Sequence, residues 1–198
     1  MRMIMSALAL VLAALVGNTA RASPIFYTLT GDLTGTLTSG GSSITFTNTA
    51  FLWQVVGDTN NLTTIPGPPA GPAIPAITDT ITIGATVLSP TIPTFFAWAA
   101  VPAFPPFGIA GFADGTTLQG LAWNAPALFT YNGVTDFGPL SVNFEAAGPL
   151  PTDGGSLDIT GASSLVFTAV DEPPALALFL VGLGAVGVLA IKRRAVPV

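Results

Sequence analysis

Along residues 26–38 (FYTLTGDLTGTLT) large or apolar side chains alternate with Thr and Asp. That period of two places one face of an extended strand in a core and the other in water. Gly40-Gly41 supplies a turn and residues 43–49 (SITFTNT) alternate again, which predicts a hairpin. Residues 51–56 continue as a more apolar strand and stop at Gly57-Asp58. Five prolines between residues 65 and 77 remove amide donors and fix φ, which predicts a long extended loop instead of a strand. Alternation returns at residues 78–88 (TDTITIGATVL), and residues 94–101 (TFFAWAAV) form an apolar run ended by Pro102, Pro105 and Pro106. Shorter strands are predicted at 116–123, 128–131 and 140–144, and turns at Asn132-Gly133 and Asp153-Gly154. A last strand or strand pair covers 156–170, with Gly161 as its kink or bulge.

No helical period is sustained in this region. About eight to ten short strands with regular turn signals predict an all-β fold, an antiparallel β-sandwich of jelly-roll or immunoglobulin-like type. A right-handed β-helix is the runner-up, but no fixed repeat supports it. With no Lys to guard the sheet edges, Pro, Asp and Gly are left to do so.

The two ends of the chain carry a different pattern. Arg2, an apolar stretch over residues 4–16 and the small-x-small triplet Ala20-Arg21-Ala22 have the three-part order of a secretory signal, with the cut expected between Ala22 and Ser23. Residues 175–191 are seventeen in a row without a charge, followed at once by Lys192, Arg193 and Arg194. As a helix they extend about 26 Å, slightly less than a hydrocarbon core of roughly 30 Å, and the basic side chains bridge the difference by snorkelling. Three cations on that side keep the C-terminus in the cytoplasm, the same orientation a signal peptide gives. Gly182, Gly184 and Gly187 weaken a helix in water but are common in membrane helices, which argues against a buried core helix. The expected organisation is a signal peptide at 1–22, a β-rich ectodomain at 23–169, and a sorting segment at 170–194 with its membrane helix at 175–191 and basic stop at 192–194.

Charge narrows the function. All five basic residues lie in the end segments, and between Ser23 and Val170 there is no Lys, Arg or His. The same stretch holds eight acids: Asp32, Asp58, Asp79, Asp114, Asp136, Glu145, Asp153 and Asp158. A cation-free surface cannot neutralise phosphates, so nucleic acid is excluded as a partner. Without Cys there are no disulfides, and without Cys or His no zinc site of that kind. Catalytic arrangements built on His or Cys are excluded with them. A glycosidase-type carboxylate pair remains as one alternative, but the acids sit beside Gly, Thr or Pro in turn-like contexts. A second is a calcium- or carbohydrate-binding module. For it, the stretch Asp153-Gly154-Gly155-Ser156-Leu157-Asp158 is the candidate hard-cation loop, and Tyr27, Trp53, Trp98, Trp123 and Tyr131 the candidate sugar-stacking rings. No cofactor is expected.

The junction Val170-Asp171-Glu172-Pro173-Pro174, the short glycine-containing apolar helix and Lys192-Arg193-Arg194 resemble, in that order, the PEP-CTERM sorting signal of bacterial exosortase substrates. Val170, Glu172 and Pro173 match a Val-Pro-Glu-Pro core, and Asp171 stands where its first proline is expected. The resemblance implies a partner exosortase that recognises the tail and cleaves near Glu172-Pro173, after signal peptidase has acted at the other end. It implies an intermediate tethered to the inner membrane, delivered to the cell surface or released, in cells that make exopolysaccharide and biofilm. The expectation is a non-enzymatic surface or matrix protein associated with extracellular polysaccharide. A tail-anchored protein that is never processed is the plainer rival.

Overall fold

The structure, a computed structural model, describes residues 24–65, 71–102, 105–114 and 119–171. Twelve strands follow one another: β1 (Pro24–Ser39), β2 (Ser42–Asp58), β3 (Thr63–Ile65), β4 (Gly71–Ile83), β5 (Thr86–Leu88), β6 (Thr94–Val101), β7 (Phe107–Asp114), β8 (Gly120–Ala125), β9 (Phe137–Ser141), β10 (Asn143–Ala147), β11 (Leu150–Thr152) and β12 (Gly155–Asp171). They form one open antiparallel sheet in the order β10-β8-β7-β6-β4-β2-β1-β12-β11, with β3 and β5 paired to β4 and β9 paired to β12. The fold is all-β, and no α-helix occurs among the described residues. The expected signal peptide and membrane helix lie outside those residues.

Alternation built the first half as expected. Tyr27, Leu29, Leu33 and Leu37 point into the core, while Thr28, Thr30, Thr36 and Thr38 point outward between β2 and β12. The runs at 43–49 and 51–56 join into the single strand β2, with a register shift beside Asn48, whose φ is +44°. The anticipated irregularity at Gly161 is present as a register shift against β1.

The proline-rich stretch corrects the sequence expectation, because residues 71–77 are strand. Pro72 pairs only with Thr64 of β3 and Pro75 only with Phe95 of β6, so each proline has a partner on one side alone. A missing N–H is tolerated where a strand is locally an edge. Residues 128–131 are a second correction. They belong largely to the 3₁₀ turn Pro126–Thr130, with Pro126 in its first turn. Leu128 of that turn is buried over β7, at a point where a Cβ on Gly108 would come within 2.2 Å of the Leu128 backbone. Strand β7 was not anticipated. The predicted strand at 140–144 is instead the end of β9 and the start of β10, which pair with different neighbours on either side of Val142.

Strand β4 hands the sheet over from one half to the other: residues 76–83 pair with β2, and residues 73–75 with β6. The two halves then share one core. Phe96 of β6 stacks on Tyr27 of β1 at 4.0 Å and on Phe167 of β12 at 5.5 Å. Trp123 of β8 meets Phe167 at 5.4 Å. Burying each such ring stabilises the fold by roughly 1.5–3 kcal/mol before the entropy of ordering it. The Val142 N–H donates to the Leu165 carbonyl, tying the passage from β9 to β10 against β12. The Tyr27 hydroxyl donates to the carbonyl of Gly133 at 2.6 Å. Gly133 has φ +78°, and a Cβ there would meet the Trp98 ring at 2.0 Å, so this turn requires glycine.

Candidate functional site

Of the residues the sequence assigned to export, Ala20, Ala22, Ser23, Glu172, Pro173, Lys192, Arg193 and Arg194 lie outside the described residues. Val170 lies on β12 opposite Phe26 and is 47% exposed. Asp171, the last residue of β12, is opposite Ile25. Its N–H donates to Oδ1 of Asp136 at 2.6 Å. Proline at this position would remove that donor. Burial, and then the neighbouring Asp136, raise the Asp171 carboxyl above its ordinary value. Pro24 and Asp171 lie at the same end of two adjacent antiparallel strands, β1 and β12.

The aromatic side chains proposed for sugar stacking form the core instead. Tyr27, Trp53 and Trp123 are fully buried, and Trp98 and Tyr131 nearly so. They were drawn inward because each occupies an inward position of its strand or turn, where a large ring fills the space between the halves. The Asp153 carboxylate accepts the N–H of Ser89, and Asp158 lies on β12 opposite Thr36. Among the described residues no three acidic, His or Cys side chains gather to hold a metal ion.

One acid is set apart by its surroundings. Asp79 on β4 accepts from Trp53 Nε1 of β2 at 2.6 Å, and its other oxygen accepts from the Thr94 hydroxyl of β6 at 2.6 Å. It thus joins three strands where the sheet changes halves. Burial pushes its carboxyl up to about 6, opposed by the hydrogen bonds from Thr94 and Trp53. No Lys, Arg or His lies between Ser23 and Val170 to stabilise its charge.

A concave feature lies elsewhere, on the outward face of β6, β7, β8 and β10. A groove of about 550 Å³ runs there, closed at one end by Ile65 and Gly71. Its floor is a single cross-strand row, Ala97–Gly111–Ala122–Ala146. Taller side chains flank this row: Ile109 and Glu145 on one side, Gln119 and Pro149 on the other. Glu145 is the extra residue of a β-bulge, since Phe144 pairs with Trp123 and Ala146 with Ala122. The bulge turns its carboxylate toward β8, where Asn124 Nδ2 donates to it. Among the described residues Glu145 is the one ionisable side chain lining the groove. The alternation rule missed this site because its marker is an absence: outward positions that usually carry polar side chains carry Ala and Gly. Compared with known proteins, the chain matches no family model, no curated protein and no solved structure.

Proposed function

We propose that the chain is an exported, non-enzymatic surface or extracellular-matrix protein, sorted by an exosortase through its C-terminal signal and associated with exopolysaccharide or biofilm. In this reading the curled sheet is a β-sandwich ectodomain. Signal peptidase removes residues 1–22, the apolar helix at 175–191 holds the intermediate in the inner membrane, and exosortase releases it near Glu172-Pro173.

One observation supports this reading above the others. Pro24, two residues after the expected signal cut, opens β1, and Asp171, one residue before Glu172, closes β12. Ile25 and Asp171 are paired and Val170 is 47% exposed, so the described residues nearest the two expected processing points lie side by side, and the first residue of the sorting motif faces solvent.

Mass analysis of both termini in fractionated cells, with and without an exosortase, tests the proposal. The expected mature chain begins at Ser23 and has lost Val198 only where the exosortase is present. A full-length chain with Met1 and Val198 in the cytosol would overturn it.

A further inference from the structure

The groove across β6, β7, β8 and β10 has dimensions and chemistry of its own. Its floor row crosses three inter-strand gaps, a run of about 14 Å at roughly 4.8 Å per gap. It therefore suits a short length of a linear chain molecule better than a globular one. Along the floor row the backbones of β6, β7 and β8 are paired in the sheet, whereas β10 ends the strand order and is paired on the β8 side. The polar side chains at hand are Glu145 and Gln119 on the rim and Asn124 behind Glu145. An extended peptide laid across alanine and glycine would bury its own N–H and C=O groups without partners. A pyranose chain meets the same floor with its C–H ring faces and carries its hydroxyls to the rim, where amides and a carboxylate accept and donate. Charge selects further. The residues from Ser23 to Val170 include eight acids, Glu145 among them, and no Lys, Arg or His. An acidic polymer is repelled there, whereas an ammonium group is drawn to Glu145.

We infer that this groove binds a linear, non-acidic polysaccharide, with Glu145 favouring chains that carry free amino groups. The inference rests on the proposed matrix role and gives it a site. Ala97, Gly111, Ala122 and Ala146 seat the sugar rings, Gln119 meets hydroxyls, and Glu145, held by Asn124, meets the ammonium.

Calorimetry on the full-length chain in detergent at pH 6 tests this with short oligomers of glucosamine, glucose and galacturonic acid, and with a lysine-containing alanine peptide. Glucosamine oligomers are expected to bind about tenfold more tightly than glucose oligomers, the scale of one charge-assisted hydrogen bond. Galacturonate oligomers and the peptide are expected not to bind. Glu145→Gln should weaken glucosamine binding about tenfold and so erase its preference over glucose. Ala122→Leu, which raises the floor, should weaken both sugars at least about tenfold. If Ala122→Leu does not fold, Glu145→Gln still decides, because Glu145 is exposed. Binding of galacturonate as tight as that of glucosamine, binding of the peptide in place of the sugars, or no binding to any sugar overturns the inference. Because binding is measured on the isolated protein, its failure is separate from a failure of export or sorting.

Discussion

Outward positions on β1, β2, β4 and β12 carry Thr28, Thr36, Thr45, Thr80 and Thr168, whereas the row across β6, β7, β8 and β10 carries Ala97, Gly111, Ala122 and Ala146. The inward faces of the two halves are alike, since Tyr27, Trp53 and Phe167 meet Phe96, Phe112 and Trp123 in one core. The contrast between the outer faces thus owes nothing to the demands of folding. A threonine face is fully satisfied by water. An outward row of methyl groups and bare backbone leaves apolar surface to be covered, and here that surface is concave.

Breaking the shared core should have the largest effect. Phe96→Ala removes the ring that touches Tyr27, Trp98, Phe112 and Phe167, and should cost about 3–5 kcal/mol by urea denaturation. Unfolding should remain a single transition; two separate transitions would mean that the halves are independent units.

Next comes the acid at the hand-over between halves. The Asp79 carboxyl is raised from 3.8 to about 6 in the fold, so the native state holds its proton over a range where the unfolded chain has lost it. The Asp79 contribution to stability is therefore fully present below pH 3.8 and is lost as pH rises toward 6, by at most about 3 kcal/mol. Asp79→Asn should flatten that slope in melts run from pH 4 to 7, and an unchanged slope would place its origin elsewhere.

A finer comparison uses the two buried tryptophans. Trp53 donates to Asp79, whereas Trp123 Nε1 is buried without a hydrogen-bond partner among the described residues. Trp53→Phe should therefore destabilise more than Trp123→Phe, by about 1–3 kcal/mol in denaturant midpoints. The smallest effect belongs to the threonine face. Thr30→Val should change stability by less than about 0.5 kcal/mol, and a larger loss would show that the exposed hydroxyl is structurally engaged.

Legibility followed the same division. In the threonine half, polar and apolar residues take turns, so β1, β2 and β12 could be read from period alone. In the alanine half both faces are apolar or small. A strand such as β7 (FGIAGFAD) then has no alternation to betray it; of its neighbours, β6 matches the apolar run at 94–101 and β8 only part of the strand expected at 116–123. The 3₁₀ turn at Pro126–Thr130 was mistaken for a strand because Leu128, Phe129 and Tyr131 carry the composition of one. Proline counting failed at Pro72 and Pro75 because local edge status, a tertiary property, decides whether a missing donor matters. The groove was hidden for a related reason. Its row joins four strands that only the sheet order brings together, and Glu145 enters it through a bulge visible only in the register.

The pairing of Ile25 with Asp171 has a mechanical corollary. Tension arriving through the chain beyond Asp171 is directed along β12, seventeen residues laddered to β1 on one flank and to β9 and β11 on the other. Antiparallel hydrogen bonds lie across the strands, so such a tug shears the whole ladder at once and does not peel it rung by rung. Shearing it means parting the thirteen β1–β12 pairs of the described residues together.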